Sequence, residues 1–332
     1  MFFDRERELK ELMNLITYEP NMIIFVYGPI NSGKTTLMEE FIGRLSDKYV
    51  TFSINLRGRF IPTYKEFINV MFSIKKESMA EIISEIIKSG LAYRGIPVPE
   101  SILRKLLKYE EDPFVFLEGY FNSLKEKGKI PILILDELQV IGDLKIDGPF
   151  IYSLFNFFIR LTKELHLAHV FVITSDSLFL EKIYGEAMLY GRADYFLVDD
   201  LDKNTTLKFL KELGLEDEEA EFVWSYFGGK PVYLIEAVKH RDRLKEWCEK
   251  QLRIRTQMIN SIIDMPGIAD ILREFLNKET IPFDGKISEP VRELVRKNVL
   301  FVDLPNGVIK PQGRLELLAI RNALKRNTDL ET

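Results

Sequence analysis

Along the chain, nearly unbroken apolar runs alternate with stretches whose apolar positions recur every three to four residues. The runs are NMIIFVYG (21–28), YVTFSIN (49–55), IPILILDELQ (130–139), HVFVITSD (169–176) and ADYFLVDDL (193–201). They are short and rich in β-branched and aromatic residues, as strands buried on both faces of a parallel sheet are. Helical spacing lies between them: 4–17 with Leu9, Leu12, Met13 and Ile16 on one face and Asp4 as N-cap, about 34–47, and a Phe-rich stretch at about 149–166. Strands alternating with helices predict an open, mostly parallel α/β sheet covered on both faces.

Residues 58–129 carry no strand signal and predict a helical insertion, broken at Pro62, Gly90 to Gly95 and Pro97-Val98-Pro99. It covers the sheet or binds a partner. After Leu201 the pattern is helical, with Gly228-Gly229 ending one helix and Pro231 opening the next. Beyond Met265-Pro266-Gly267, helices at about 268–277 and 289–298 precede LFVDL, Pro305-Asn306-Gly307 and VIKPQ. Asn-Gly between apolar runs signals a hairpin, and helices followed by a hairpin predict a winged helix. The expected domains are a core at 1–201, a helical lid at 202–262 and a winged helix at 263–332.

Composition narrows the class. The 332 residues are 46% hydrophobic with 24 Phe, enough for a large core and two or three domains. A net charge of −5 argues against a nucleic-acid binder over its whole surface. The single Cys248 excludes an intramolecular disulfide, and His166, His169 and His240 have no metal-ligand spacing. The opening MFFDRERELK lacks the apolar stretch of a signal peptide, and no apolar run approaches the ~20 residues that span a bilayer. A cytoplasmic protein without a membrane partner is expected.

Candidate chemistry begins at Gly28-Pro29-Ile30-Asn31-Ser32-Gly33-Lys34-Thr35-Thr36, which fits G-x-x-x-x-G-K-[ST] between a buried strand and a helix. Glycines let backbone N–H groups turn in around phosphates, and the helix points its positive end at them. Lys34 is expected on the terminal phosphates and the Thr35 hydroxyl on Mg²⁺. Asp136 and Glu137 close an apolar strand, so Asp136 is the second Mg²⁺ residue and Glu137 the base that orients an attacking water. The chain has neither Asn-Lys-x-Asp nor Asp-x-x-Gly after that strand, which favours ATP over GTP. Thr174, Ser175 and Asp176 end a strand where a polar side chain senses the terminal phosphate or serves as an ordinary turn. Arg192, in a Gly-flanked connection, is a candidate arginine finger, in cis or in trans, or else a surface charge.

The segments FDREREL (3–9), GPINSGKTT, ILILDELQ, YGR (190–192) and FGGKPVYL (227–234) follow one another in an order that resembles the archaeal ATPase family of the STAND class, kin to the AAA+ ATPases. The resemblance covers nearly the whole chain. It implies a P-loop NTPase with a five-stranded parallel sheet, the sensing strand lying between the phosphate-loop and Asp136 strands. It also implies a helical lid and C-terminal winged helix, and an adenine pocket formed from Phe3–Arg5 and the GGKP turn, with Pro231 near the base. The chain departs at Ser175-Asp176, where Gly-Ser is common, and at Lys230, where His is common.

These readings lead to a slow ATPase that switches a protein partner between ATP and ADP states. A DNA-binding initiator-like ATPase and a non-hydrolysing scaffold stand beside it, and ATP-dependent oligomerisation fits each. Residues 251–332 hold 13 Lys and Arg against 11 Asp and Glu, so that tail offers DNA few uncompensated cations.

Overall fold

The computed structural model describes residues 2–89, 92–142, 150–184 and 187–330. Gly90 and Pro149, each expected at an element boundary, lie outside the described residues. The chain divides into two compact units: Met1–Tyr27, Thr35–Thr174 and Gly185–Phe196 in the first, Gly28–Lys34, Ser175–Tyr184 and Leu197–Thr332 in the second.

The first unit is built on strands β1 (Ile23–Tyr27), β2 (Tyr49–Asn55), β3 (Phe72–Lys75), β4 (Ala92–Arg94), β5 (Ile96–Pro99), β6 (Ile130–Asp136), β7 (His169–Thr174) and β8 (Ala193–Leu197). Six form one sheet in the order β4-β2-β6-β7-β1-β8. The ladders β4–β2, β2–β6, β6–β7 and β7–β1 are parallel. Every residue of β1 and β7 is buried, which explains why these strands read as continuous apolar runs. As expected, β7 lies between β1 and β6. Aromatic pairs bind helices to the sheet faces: Phe41 meets Phe171 at 5.5 Å between ring centroids, and Phe52 meets Phe121 at 5.6 Å.

The sheet has six strands where five were expected, because residues 58–129 contribute β4 to its edge. That segment also pairs β3 with β5 in a separate parallel ribbon. The expectation of an all-helical insertion is therefore corrected. β4 is only three residues long and largely exposed, and β5 is Ile-Pro-Val-Pro. Proline survives at a free edge because its missing N–H interrupts no second ladder. The helix 150–159 passes into a π-helical turn over Arg160–Glu164, where Thr162 Oγ1 donates to the Phe158 carbonyl (2.8 Å). At the start of the chain the helix is Glu6–Leu15, with Arg5 at the N-cap position in place of Asp4.

The second unit holds helices Lys203–Glu212, Asp217–Phe227, Pro231–Lys239 and Leu244–Asn260, then Ile268–Arg273, Glu289–Arg296 and Arg314–Leu330. Strands β9 (Ile281–Pro282), β10 (Leu300–Asp303) and β11 (Val308–Pro311) form an antiparallel sheet in the order β10-β11-β9. The hairpin turn relies on Gly307 at φ +67°, a conformation that favours glycine. The long helix Arg314–Leu330 packs along Leu244–Asn260. Cys248 sits fully buried on the latter, and burial pushes its thiol up to about 12, as befits a packing residue. Among the described residues no helix is long and apolar enough to cross a membrane.

Candidate phosphate-loop site

In the second unit, the loop after β1 turns on Gly28 (φ +153°), Asn31 (φ +62°) and Gly33 (φ +95°). Gly28 cannot be replaced without disruption, since a Cβ there would lie 2.1 Å from the Val198 carbonyl oxygen. Ser32 is fully buried, and Lys34 is only 7% exposed. The Lys34 ammonium folds back into the loop, donating to the carbonyls of Gly28 (3.0 Å) and Pro29 (2.8 Å) and to Ser32 Oγ (3.5 Å).

The loop's Ile30 peptide is held on both sides. Its N–H donates to Gln312 Oε1 (3.0 Å), and its carbonyl accepts from Lys230 Nζ (2.9 Å). Gln312 is 2% exposed and anchored by a bond from Nε2 to the Leu300 carbonyl (3.2 Å). Lys230 is equally buried and pairs with Asp200 (3.0 Å). Burial holds the carboxyls of Asp200 and Glu316 above the usual carboxylate range, while Lys230 pulls both back down. Gly33 faces Pro231, whose Cγ would be 3.9 Å from an added Cβ. Asp176, one of the three strand-end residues read as a sensor or an ordinary turn, caps the next helix through the N–H groups of Leu178 (2.8 Å) and Phe179 (3.2 Å).

In the first unit, Thr35 opens its helix with Oγ1 donating to Asp136 Oδ2 (3.1 Å). Thr36 follows on the same helix, partly exposed. Asp136 ends β6 and is buried. The chain then leaves the strand through Glu137 in the left-handed region (φ 63°, ψ 44°), its N–H donating to the Ile173 carbonyl (3.0 Å). The Glu137 carboxylate accepts from Arg57 on one oxygen and from Gln139 on the other. Gln139 in turn accepts from Thr174 Oγ1 (2.9 Å). A hydroxyl and a carboxylate are hard oxygen donors, and Mg²⁺ takes one or two such protein ligands while keeping waters and phosphate oxygens. Thr35 and Asp136 fit that ion. Among the described residues there is no cluster of three or more His, Cys, Asp or Glu that could cage a metal by itself.

The family model for an ATPase domain predominantly from Archaea matches residues 2–237. The chain belongs to this archaeal ATPase family. A second model, the C-terminal domain of an uncharacterized MJ1010-like ATP-binding protein, matches residues 234–324 of this archaeal ATPase. An uncharacterized ATP-binding protein of Pyrococcus abyssi is 54% identical to it, over 99% of this chain and 100% of its own length. One from Methanocaldococcus jannaschii is 45% identical over 97% of each. Among solved structures, a Walker-type ATPase of P. abyssi matches with TM-score 0.66 at 20% identity, covering 96% of both chains. The Aeropyrum pernix ORC2 protein matches with TM-score 0.50 at 13% identity, over 97% of this chain and 95% of its own. The archaeal ATPase thus has the α/β P-loop NTPase fold.

Not every expected residue joins the cluster. The backbone carbonyl of Arg192 accepts from Ile23 N–H (2.9 Å), which fixes it at the N-terminal end of β1. Thr35 and Asp136 lie at the opposite edge, past the C-terminal ends of the strands. Five residues of strand separate the two ends by about 15 Å. Arg192 is exposed, and its guanidinium donates to the Met188 carbonyl (3.1 Å). Of the three readings left open, this position suits a surface charge or a finger acting in trans more than one acting in cis. Arg5, implied at the adenine pocket, is buried and pairs with Glu8 (2.8 Å), beside a partly exposed Phe3. Sequence reading missed Arg57, Gln139, Gln312 and Asp200. Arg57 lies two residues past the end of β2, where ligands of open α/β sheets gather, and that signal was available.

Proposed function

We propose that this archaeal ATPase binds Mg-ATP at Gly28–Thr36 and hydrolyses it slowly, as a switch acting on a protein partner. Thr35 and Asp136 would hold Mg²⁺, which when bound neutralises charge on the terminal phosphates. The reading rests on one observation: Glu137, next to the metal-binding pair, is tied up by Arg57 and Gln139. A carboxylate so placed accepts a proton from water only after releasing Arg57. Slow basal turnover follows, and so does a point at which a partner can act. Gln139 also links Glu137 to Thr174, which gives that strand-end residue a sensing role through Glu137.

The strap on Ile30 gives the switch its mechanical part. Gln312 and Lys230 belong to the segments we assign to a winged helix (263–332) and a helical lid (202–262), with the core at 1–201. Phosphates entering the loop compete for its backbone, so ATP and ADP states bias that strap differently. Pro231, beside Gly33, is the residue of this unit that we assign to adenine; Phe3 and Arg5 keep the same assignment from the family resemblance alone. Exposed Arg192 is either a surface charge or a finger for a neighbouring copy in an ATP-dependent oligomer.

A protein partner fits better than DNA. On Glu289–Arg296, Arg292 pairs with Glu181 (2.9 Å), and Arg296 pairs with Glu289 (3.0 Å) and Glu293 (3.5 Å). Cations already neutralised release few counterions on meeting phosphates.

The test is phosphate release from Mg-ATP by wild type and Glu137→Gln, each with and without duplex DNA. Turnover in Glu137→Gln should fall by about 10²-fold or more, as for loss of a general base. DNA should change neither rate. Equal turnover in the two proteins removes the mechanism, and DNA stimulation replaces the switch with the initiator-like reading. ATP bound by the wild type without turnover leaves the scaffold.

A further inference from the structure

A cavity of about 330 Å³ in the first unit adjoins the Thr35–Asp136 pair. Thr35 and Glu39, on one face of the helix after the phosphate loop, form one wall, and Asn55 and Asp136, at the ends of β2 and β6, form another. Two arginines complete it. Arg59 comes from the loop after β2, and Arg94 is the last residue of edge strand β4.

The placement of Arg94 follows from register. Ser53 pairs with Arg94 across β2–β4, and Asn55 pairs with Asp136 across β2–β6. The Arg94 backbone is therefore two strand spacings, about 10 Å, from β6 and two residues short of Asp136. Arg94 and Asp136 thus face one cavity from opposite sides of β2, leaving room between them for a bound group. Among the described residues neither guanidinium makes a hydrogen bond or an ion pair, whereas Arg57, two positions before Arg59, is bound to Glu137. Each guanidinium is a planar fork of five donors suited to a bidentate oxyanion. Two unengaged forks line the same cavity as the candidate metal-binding pair, and with Glu39 and Asp136 balancing their charge the cavity suits a phosphoryl group that arrives with its own Mg²⁺.

We propose that Arg59 and Arg94 grip the terminal phosphoryl group of Mg-ATP, so that the inserted segment 58–129 supplies in cis the cations that Arg192 is too far away to provide. The proposal deepens the nucleotide reading above and rests on it. In the step concerned, a water oxygen forms a bond to the terminal phosphorus. The bond from that phosphorus to the bridging oxygen breaks, and its electron pair leaves with ADP. The water proton passes to the Glu137 carboxylate, and nothing is oxidised or reduced. Negative charge stays spread over the three equatorial oxygens, where the two guanidiniums donate.

The experiment compares wild type, Arg59→Ala and Arg94→Ala, titrated with Mg-ADP and with Mg-ADP plus aluminium fluoride, a mimic of the transferring group. Both residues are exposed, so both variants should fold, and a melting curve checks this. Wild type should gain at least about 10²-fold in affinity on adding aluminium fluoride, as enzymes do for transition-state analogues. Each variant should bind Mg-ADP within about twofold of wild type yet lose most of that gain, with kcat down about 10²-fold and KM little changed. A gain kept by both variants overturns the proposal, as does no gain in a wild type that binds Mg-ADP. Equal losses in Mg-ADP and in the fluoride complex mark a structural role and also overturn it. A wild type that binds no Mg-ADP sinks the nucleotide reading itself, and this proposal with it.

Discussion

Replacing Lys34 by alanine is expected to weaken Mg-ATP binding by about 10²- to 10³-fold, from the loss of one or two charge-assisted hydrogen bonds worth roughly 1.5–3 kcal/mol each. The Lys34 ammonium is 7% exposed and satisfied by two carbonyls and a hydroxyl. Its removal acts twice. The phosphates lose their cation, and the carbonyls of Gly28 and Pro29 are left facing them as bare negative dipoles. The same carbonyls lose their donor without nucleotide, so the free protein should also lose about 1–3 kcal/mol of stability. Calorimetric titration with Mg-ATP, paired with denaturant unfolding, separates the two effects. Unchanged affinity in Lys34→Ala would show that this loop is not the phosphate grip.

The sheet was legible because β1, β6 and β7 are nearly continuous apolar runs that end at chemistry: β1 at Gly28, β6 at Asp136-Glu137, β7 at Thr174. What escaped was marginal or distant. β4 is three residues at an edge, with Ala92 and Arg94 exposed, too short to show a period. β5 carries Pro97 and Pro99, which read as breakers and are tolerated only because a two-stranded ribbon leaves an edge free. Gln312 meets Ile30 across 282 positions of sequence, a contact that no local pattern encodes. Arg192 is a different case. Its connection precedes β8, and in a parallel sheet residues before a strand lie at the edge opposite those after one. Attention to strand direction, beyond glycine flanks, would have separated it from Thr35 and pointed instead to Arg57, which follows β2.

Lys230→Met should cost about 3–5 kcal/mol at neutral pH, the usual result of removing one partner of a buried ion pair. The ammonium is 3% exposed and Asp200 19%, so solvent screens the pair little. Methionine keeps the length of the side chain and much of its volume, which confines the change to the charge and its hydrogen bonds. Besides Asp200, the Ile30 carbonyl loses its donor. The deficit should depend on pH with a definite sign. Burial already raises the Asp200 carboxyl above its ordinary 3.8, and Lys230 opposes that rise. Without Lys230 the folded-state value climbs further while the unfolded value stays put. For an acid raised on folding, the native state binds more protons than the unfolded state between the two values, so stability falls as pH rises through that window. Below 3.8 Asp200 is protonated in both states and its share of the penalty vanishes. Glu316, also raised by burial and also lowered by Lys230, should steepen the same trend. Urea unfolding of wild type and Lys230→Met across acidic to neutral pH should therefore give curves that converge toward acid and diverge above it. Parallel curves would mean that Lys230 holds Ile30 but does not neutralise Asp200. A methionine variant as stable as wild type at neutral pH would show that the lysine is not what keeps a carboxylate charged beneath the phosphate loop.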